Sequence, residues 1–429
     1  MKNQVYINRK TQKNNLVVVI FMFFFLLTIS ASAQKTASVS GNWNSQATWG
    51  YSGIPTATDA VTIASGVTVT VNVSNATCAS MVVGNSPGMA TLNFNNGSQL
   101  TSSGTVTFGT ASGGNNRLGT ISMANGGTLI CTGFAVANTG TNVWTPGIGT
   151  VQLTATNNLP GEIITNFNNL TISSGTTKLG VSTTIGGTLS LTTGSLDVNA
   201  FTGSAGEIVG SGSLTNSGNT NTFTIGSLNT STTYSGVISA ATAANLAITK
   251  TGTGSLTLSS SNTYGGSTLI SAGTLKLANT TALGTSSATT VSSGSVLDLN
   301  GTTLSTARPL TLNGTGLTAT PAGALTNTGI AASYSGNITL GSASTITATS
   351  SGTLTCSGAI AGAFALTLDG AAGTGTMSGV ISSPTSLTKN GAGTWVLSGT
   401  NTYTGTTTLN AGITSIAAAN NLGTRGDCF

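Results

Sequence analysis

The most regular feature of the chain is an alternation of apolar and polar residues in short runs. Residues 67–73 read Val-Thr-Val-Thr-Val-Asn-Val, and a period of two is typical of strands with one buried face. The same period recurs in residues 105–108, 170–172, 256–258, 275–277 and 310–312. Gly, Asn and Ser cluster between the runs and favour turns. The pattern predicts an all-β chain of short strands.

A second, longer period predicts how these strands are arranged. The tetrad Ser-Gly-x-Ile begins at Ser235, Ser335, Ser357 and Ser378, and the last three copies follow one another at nearly equal intervals. Short strands that recur in this way are typical of a parallel β-helix, in which each coil stacks on the previous one. Small uncharged side chains suit such stacking. An array of β-sandwiches is the alternative, and it would show hairpin turns at 8–12-residue spacing.

This arrangement also predicts a coil number and a core. At about 21 residues per coil, residues 77–424 would form roughly 17 coils. The alternation places one set of apolar side chains inside a continuous core. The predicted core residues are Ile238, Leu256, Leu258, Leu275, Leu277, Leu297, Leu299, Leu310, Leu312, Ile360, Ile381 and Leu397.

Residues 1–33 have the features of a secretory signal peptide. Residues 1–15 carry four basic residues and no acid, residues 16–29 are apolar with one exception, and residues 30–33 are small. The apolar run is shorter than the about 20 residues that span a bilayer. We predict cleavage after Ala33 and a secreted, extracellular or cell-surface protein. Without this segment the basic and acidic residues nearly balance, so no nucleic-acid partner is expected.

The composition restricts the chemistry that the chain can perform. None of the 429 residues is His, and charged residues make up 4% of the chain. The lack of His excludes Ser-His-Asp and Cys-His catalysis and His-ligated metals. A hydrophobic content of 38% favours a folded repetitive structure over disorder. No catalytic residue, metal site, metal ion or small-molecule cofactor is therefore predicted.

The four cysteines are Cys78, Cys131, Cys356 and Cys428. An even number in an exported protein permits disulfides, but their spacing is too wide for a zinc knuckle. For Cys131 and Cys356 we favour the interpretation of small apolar residues in a tight core. The sequence leaves the disulfide state open.

A longer repeat is superposed on the coil period. Residues 250–285 and 389–424 align without a gap, with 16 identities in 36 positions. Their common pattern K-x-G-x-G-x-x-x-L-S-x-x-N-T-Y-x-G-x-T…A-G…L-G-T resembles the autotransporter-associated β-strand repeat of exported proteins in Gram-negative bacteria. The resemblance implies a right-handed parallel β-helix passenger, extracellular or attached to the outer membrane, which is commonly adhesive and usually without catalysis.

The N-terminal part of the mature chain differs from the rest. Trp43 and Trp49 lie in a segment that looks like the opening of secreted adhesin-like proteins. These tryptophans could stack on a sugar, but we favour a cap over the apolar end of the solenoid. The predicted organisation is therefore a signal peptide (1–33), an N-terminal cap segment (34–76), divergent coils (77–233), coils with the long repeats (234–424) and a truncated or irregular tail (425–429).

The C-terminal end departs from the resemblance. The second long repeat follows the first to Thr424 and then breaks into Arg-Gly-Asp-Cys-Phe, and neither a membrane barrel nor a sorting domain is recognisable. We interpret this end as a truncation within a repeat and assign Arg425-Gly426-Asp427 no role. A solenoid ending in this way is expected to associate end to end through its last coil.

Two further groups of residues could carry chemistry. Asp197 and Glu207 are the acids nearest in sequence, but half a coil would place them on different faces, whereas a glycosidase needs a carboxyl pair about 5–10 Å apart. Asp59, Glu162, Asp298 and Asp369 are expected to be solvated turn residues.

Thr-x-Thr pairs could bind glycans or ice if they stacked on a flat face, although Thr is also an ordinary solvent-facing strand residue. These pairs are Thr68/Thr70, Thr105/Thr107, Thr345/Thr347/Thr349 and Thr353/Thr355.

The sequence therefore favours a secreted or cell-surface β-helix with a structural or adhesive role and no catalysis. Surface glycans or other cells are the favoured partners. A carbohydrate- or ice-binding β-solenoid module is the first alternative, and a polysaccharide-degrading β-helix enzyme is the second.

Overall fold

The chain winds into a parallel β-solenoid of about 16 turns in this computed structural model. The structure describes residues 33–111, 116–242, 245–320, 322–349 and 352–424. The predicted signal peptide up to Ser32 and the tail 425–429, with Cys428, lie outside the described residues. Within the described residues, Gln46–Trp49 forms a short 3₁₀ turn between two early strands, and Ala419–Leu422 forms another after the last strand.

The strands are short, as the period of two predicts, because Gly-, Asn- and Ser-rich turns end each one. The first fifteen are β1 (Gln34–Ala37), β2 (Gly41–Asn42), β3 (Ala60–Ile63), β4 (Thr68–Val71), β5 (Ala76–Cys78), β6 (Ser80–Val83), β7 (Gly88–Phe94), β8 (Gln99–Ser102), β9 (Val106–Phe108), β10 (Arg117–Ser122), β11 (Thr128–Cys131), β12 (Phe134–Val136), β13 (Val143–Thr145), β14 (Thr150–Leu153) and β15 (Asn157–Asn158). The next fourteen are β16 (Asn166–Phe167), β17 (Asn169–Ile172), β18 (Thr176–Lys178), β19 (Thr183–Leu191), β20 (Ser195–Asp197), β21 (Gly203–Gly210), β22 (Ser213–Asn216), β23 (Asn221–Ile225), β24 (Thr232–Tyr234), β25 (Ile238–Ala240), β26 (Leu246–Lys250), β27 (Ser255–Leu258), β28 (Thr268–Ile270) and β29 (Gly273–Leu277). The last fourteen are β30 (Thr289–Val291), β31 (Ser295–Asp298), β32 (Leu310–Gly314), β33 (Leu325–Asn327), β34 (Ala331–Tyr334), β35 (Ile338–Ala348), β36 (Thr353–Cys356), β37 (Ile360–Ala361), β38 (Ala365–Asp369), β39 (Thr374–Met377), β40 (Ser386–Lys389), β41 (Thr394–Leu397), β42 (Thr406–Leu409) and β43 (Ile413–Ile416).

The strands pair from one coil to the next, and the pairings along the described chain are parallel. Two five-stranded sheets, β1-β3-β6-β9-β12 and β2-β4-β7-β10-β13, cover the first coils. Two others, β15-β18-β20-β22-β25 and β34-β36-β39-β41-β43, form the third side of later coils. The other strands form a long sheet of two columns, because β19 and β35 are long enough to pair in both columns. Parallel coil-to-coil pairing confirms the β-helix and excludes the sandwich array for the described chain.

Stacking of equivalent positions builds the core. In one column, Leu256 pairs with Leu275, Leu275 with Leu297 and Leu297 with Leu325. Along each strand they alternate with Thr, Lys and Asp residues on the opposite face of the sheet, so each rung adds one apolar side chain to the interior. All twelve residues predicted to form the core are buried.

Coil pairing begins at the first strand after the predicted cleavage position. β1 pairs with β3, and β2 pairs with β4, so residues 34–76 already stack in the solenoid. Trp43 and Trp49 lie beside these strands with their rings 5.1 Å apart in an edge-to-face arrangement, and both are 1% exposed. The two rings therefore fill the interior of the first coil.

Candidate functional site

The polar residues that define the two long repeats are the first candidate site. Lys250 ends β26, where it follows Leu246 and Ile248 at the inward-facing positions, and it is 1% exposed. Its Nζ donates to the carbonyl oxygens of Thr251 at 2.6 Å, Gly252 at 3.0 Å and Ala272 at 3.2 Å. Two of these oxygens belong to the turn that follows the lysine, and the third belongs to the next coil. The ammonium group thus links a turn to its neighbouring coil.

The second repeat builds the same lysine site. Lys389 ends β40, is 2% exposed, and its Nζ donates to Asn390 O at 2.6 Å, Gly391 O at 2.7 Å and Ala411 O at 3.0 Å. The glycines of this turn, Gly252 and Gly391, have φ values of 69° and 66°, a left-handed conformation that favours glycine. This conformation explains the first glycine of the K-x-G motif.

Burial changes the protonation equilibrium of both lysines. Removal from water lowers the pKa of Lys250 from 10.5 to about 8. Burial also lowers the pKa of Lys389, while the nearby Asp369 carboxylate opposes this change. Each amine has its donors committed to carbonyl oxygens and its charge shielded from solvent, so neither is placed to contact a ligand.

The motif asparagine connects three successive coils. Asn262 is 3% exposed; its Oδ1 accepts a hydrogen bond from Ile238 N at 2.8 Å, and its Nδ2 donates to Ala282 O at 2.6 Å. In the second repeat, Asn401 Oδ1 accepts from Ile381 N at 2.8 Å, and its Nδ2 donates to a carbonyl of the following coil at 2.5 Å. The side-chain amide therefore satisfies backbone groups that the strands leave unpaired.

The motif tyrosine, glycine and threonine complete the turn. The Tyr264 hydroxyl lies 2.9 Å from Thr268 Oγ1, and burial raises the pKa of Tyr264 to about 12. In the second repeat the Tyr403 hydroxyl lies 2.7 Å from Thr407 Oγ1. At Gly266 a Cβ atom would lie 2.3 Å from Leu246 O, so the neighbouring coil leaves no room for a side chain. These residues hold adjacent coils in close contact.

The acids occupy structural positions as well. Asp197 in β20 accepts from Asn199 N at 2.9 Å and from Ser217 N at 2.9 Å, and Lys178 Nζ lies 3.8 Å from its carboxylate. Glu207 lies in β21 of the other sheet and accepts from Thr188 Oγ1 at 2.7 Å. The structure therefore places the two acids in different sheets, as expected from half a coil of separation.

The prediction of solvated turn residues is wrong for two aspartates, Asp298 and Asp59, which are buried. Asp298 is 3% exposed in β31, where it accepts from Asn300 N at 2.9 Å and from Thr328 N at 3.0 Å. Asp59 is 6% exposed and accepts from Thr56 N at 2.8 Å. Both carboxylates are buried because they accept hydrogen bonds from turn N–H groups that no strand pairs. Glu162, by contrast, is exposed in a turn.

The described cysteines behave as core residues. Cys78, Cys131 and Cys356 are buried free thiols. Burial raises the pKa of Cys78 to about 11 and the pKa of Cys131 and Cys356 to about 12. Thiols of this kind are inert at neutral pH, which agrees with the small-apolar interpretation of Cys131 and Cys356.

The Thr-x-Thr pairs do not form the flat face that would bind ice or glycans. Thr68/Thr70, Thr107, Thr345/Thr347 and Thr353/Thr355 lie in four different sheets, on β4, β9, β35 and β36. Thr345 and Thr347 are also buried, at 7% and 8% exposure. A Thr-x-Thr pair in the sequence thus does not predict that the pair aligns with threonines of the next coil, because that alignment depends on the coil register.

The register instead aligns a different set of hydroxyls. Thr184 pairs with Ser204 and Ser204 with Thr224, and Ser182, Thr202 and Thr222 lie two residues before them. Together these six residues form the hydroxyl surface, which lines a shallow depression of about 270 Å³. No charged residue lines it. No motif in the sequence marks this surface, because the three coils differ in local sequence.

A family comparison identifies the two repeats. Residues 248–277 and 387–416 match the passenger-associated transport repeat. The chain carries this repeat twice. The matched segments contain the buried lysine, asparagine, tyrosine and glycine of each copy, so the resemblance drawn from the sequence is confirmed. No curated protein and no solved structure matches the chain.

The matched repeat is one that is associated with the transport of passenger domains, and the β-solenoid fold agrees with a passenger of the autotransporter type. The passenger-associated transport repeat accounts for the motif residues as coil-to-coil contacts. Among the described residues, no three His, Cys, Asp or Glu side chains approach closely enough to hold a metal ion. In the same part of the chain, no helix has the length and apolar character needed to cross a membrane.

Proposed function

We propose that this protein is an exported passenger whose solenoid has a structural or adhesive role without catalysis. The observation that carries the proposal is the use of the repeat's polar residues: in both copies the lysine, asparagine and tyrosine bond to neighbouring coils or turns. Groups committed in this way stabilise an extended surface and are not free to react. The repeats therefore support a scaffold.

The carboxylates support the non-catalytic part of the proposal. A glycosidase requires one carboxyl free to donate a proton and a second one about 5–10 Å away. Asp197 and Asp298 each accept two hydrogen bonds from backbone N–H groups, and each lies within 4 Å of a lysine Nζ. These bonds commit the carboxylate oxygens to backbone groups of their own turn and of the next coil, so neither group is free to act on a substrate.

The outer surface supports neutral partners, such as glycans on a surface or on other cells. The outward-facing positions of the coils are mostly Thr, Ser and Asn, which offer hydrogen bonds without charge. The hydroxyl surface, with its six hydroxyl groups on three coils, is an observation that specifically favours carbohydrate binding as a second candidate function.

Export through a cleaved signal peptide is part of the same proposal. Cleavage after Ala33 would leave Gln34, the first residue of β1, as the new N-terminus, so the first strand would remain intact. Mass spectrometry of the protein recovered outside the cell would test this step. The expected N-terminal residue is Gln34, and a retained segment 1–33 would contradict the proposal.

Adhesion is tested with beads that carry residues 34–429. We expect the beads to adhere to surfaces coated with neutral polysaccharides or to cells, and periodate oxidation of the glycans should abolish adhesion. The same polysaccharides, incubated with the protein in solution, should yield no new reducing ends. Release of reducing ends would support the enzyme alternative, and a lack of adhesion to every surface would leave only the structural role.

A further inference from the structure

Five asparagines of the chain are followed directly by a glycine, and these pairs differ in their hydrogen bonding. The pairs begin at Asn96, Asn125, Asn300, Asn313 and Asn390. In such a pair the glycine nitrogen can attack the asparagine side chain, because glycine has no Cβ to hinder the approach. The attack needs a free side-chain amide and a free glycine N–H. The hydrogen bonds of each pair therefore decide whether it reacts.

Two of the pairs are bonded at both reacting groups. Gly301 N donates to the next coil at 2.7 Å, and Asn300 Nδ2 donates to the previous coil at 2.9 Å. In the same way, Gly314 N donates to the next coil at 3.0 Å and Asn313 Nδ2 to the previous coil at 2.9 Å. Both pairs must break two hydrogen bonds before they can react.

Two further pairs are bonded at one reacting group. Gly126 N donates to Met123 O at 2.9 Å, which restrains the attacking nitrogen of the pair that begins at Asn125. Asn390 Oδ1 accepts a hydrogen bond from Asn410 Nδ2 at 2.8 Å, which restrains the side chain that would be attacked.

The pair Asn96–Gly97 is free at both groups. It lies in the middle of the turn between β7 and β8, and both residues are exposed. Ser98 N donates to Asn95 O at 3.1 Å and closes this turn, while Gly97 has a φ of 72°, as in the third residue of a type II turn. That geometry leaves the glycine N–H unbonded. Neither this N–H nor the Asn96 side chain has a hydrogen-bond partner among the described residues.

We propose that Asn96 is a site of spontaneous deamidation. Gly97 N attacks Asn96 Cγ, a C–N bond forms, and the bond between Cγ and Nδ2 breaks. The nitrogen of the side chain leaves as ammonia, which carries away the proton of the glycine N–H. Water then opens the resulting succinimide ring at either carbonyl carbon and gives aspartate or isoaspartate. Removal of the glycine proton by base assists the attack, so the rate rises with pH.

The reaction adds a charge to a neutral part of the surface. Asn96 and Gly97 line a depression of about 310 Å³ whose lining residues are all uncharged. Either product places a carboxylate there, and isoaspartate also lengthens the backbone of the turn. In residues 34–429 the basic residues outnumber the acidic residues by one, so a single event brings the formal net charge to zero. The site does not depend on the proposed adhesive function.

The test compares the five pairs within one protein. The purified protein is incubated in mildly alkaline buffer and digested with pepsin, at an acidic pH that stops the reaction. Liquid chromatography with mass spectrometry then measures asparagine, aspartate and isoaspartate at each pair. Asn96 should deamidate at least roughly tenfold faster than Asn300 and Asn313, because two hydrogen bonds must first break in each of those pairs. Asn125 and Asn390 should also react more slowly than Asn96.

Unfolding and two variants provide the controls. In concentrated urea the pairs lose their hydrogen bonds, so all five should react at similar rates. Asn96→Gln should remove the fast reaction from the folded protein, since the ring that would have to form has six members. Asn125→Gln changes another exposed asparagine and should leave the fast reaction unchanged. Isoelectric focusing should show the deamidated protein at the position of Asn96→Asp.

Three results would overturn the proposal. The first is a rate at Asn96 that does not exceed the rates at Asn300 and Asn313 in the folded protein. The second is a rate at Asn96 that folding slows, relative to urea, as much as it slows the other pairs. The third is the formation of aspartate without isoaspartate, which would exclude attack by the Gly97 nitrogen.

Discussion

At the scale of single residues, the unusual positions are those where a polar side chain points into the core. Lys250 pairs with Ile225 on one side and with Ile270 on the other, so its aliphatic stem replaces an apolar rung. Its ammonium group reaches three carbonyl oxygens at the edge of the core. These charge-assisted hydrogen bonds offset only part of the desolvation cost of the charge, because the pKa of Lys250 is still lowered to about 8.

The lysines should give the protein a characteristic pH dependence. The pKa of Lys250 is about 8 in the folded chain and about 10.4 in an unfolded chain. Between these pH values the unfolded chain binds more protons, so the free energy of unfolding should rise with pH through this contribution. Urea unfolding at pH 7 to 10.5 should show that this rise is lost in the double variant Lys250→Met, Lys389→Met.

The comparison between the two proteins isolates the lysines. The buried cysteines and tyrosines also titrate in alkali, and their raised pKa values lower stability as the pH rises, but they are present in both proteins. The free energy of unfolding of the original protein, minus that of the double variant, should therefore increase above pH 8. A difference that is constant with pH would show that the lysine pKa values are not lowered.

The motif asparagine provides a second prediction at this scale. Asn262→Ala removes the partners of Ile238 N–H and Ala282 C=O in a buried position. We expect a loss of about 2–4 kcal/mol in the free energy of unfolding, because two buried backbone groups become unsatisfied. Asn410→Ala, which changes an exposed asparagine bonded to Asn390, is the matched control and should cost less than about 0.5 kcal/mol. Equal effects would contradict the bridging role.

At the scale of strands, the alternation of inward and outward residues defines what each position tolerates. In β27, Leu256 and Leu258 are 1% exposed, while Ser255 and Thr257 are half-buried on the outer side. Leu258 stacks between Tyr234 and Leu277. Each strand therefore has inward positions, where a charged side chain should lower stability strongly, and outward positions, where it should have little effect.

A charge at adjacent positions of β27 tests this alternation. Leu258→Asp places an unpaired carboxylate in the apolar interior and should lower the free energy of unfolding by several kcal/mol, on the order of 3–5. Thr257→Asp places the same group outside, beside Lys276 in the next coil, and should change stability by less than about 1 kcal/mol. Circular dichroism melting of both variants checks the register. Similar melting temperatures would mean that the inward face has been misassigned.

Close packing of coils also operates at this scale. Gly266→Ala would bring a Cβ atom to 2.3 Å from Leu246 O, a backbone atom that cannot move without shifting its coil. We expect a cost of about 1–3 kcal/mol. At Gly186 the nearest atom to an added Cβ is Phe167 O at 3.8 Å, so Gly186→Ala is the control and should be neutral or slightly stabilising. Thermal unfolding followed by circular dichroism measures both.

At the scale of the whole solenoid, the last described coil differs from those before it. β42 and β43 each pair with one strand within the described residues, namely β40 and β41. Leu409, Ile413 and Ile416 are 58%, 60% and 40% exposed there. In the preceding coil the positions that correspond to Leu409 and Ile416, Lys389 and Leu397, are almost fully buried.

We expect a polypeptide of residues 34–429 to associate end to end through this coil at micromolar concentration. Exposed apolar side chains beside strand edges are a template for pairing with another chain. The double variant Leu409→Lys, Ile416→Lys should shift the protein to monomers in light scattering. Ile148→Lys, which changes an isoleucine that is 64% exposed elsewhere, should leave association unchanged. A monomeric original polypeptide would contradict this prediction.

The sequence by itself determined the class of fold and the inward residues. It did not determine the coil number, because the solenoid has about 16 turns in all, fewer than the roughly 17 predicted for residues 77–424 alone. The fold class and the inward residues follow from local regularities: a period of two places side chains on alternating faces, and the longer recurrence repeats the coil. For this reason Leu258, Leu275 and the other predicted core residues are all buried. The long repeat was recognisable for the same reason, since its motif residues recur in order along the chain.

The tertiary structure alone decided what the polar residues do. Lys250, Asp298 and Thr345 look like surface residues in the sequence, but each is buried because a neighbouring coil or turn covers it. The hydroxyl surface combines residues from three separate coils. The lengths of the turns vary along the chain, and they decide which residues of neighbouring coils align. This register cannot be predicted from one segment of the sequence alone. The candidate sites depend on that register, whereas the fold depends on the repeat.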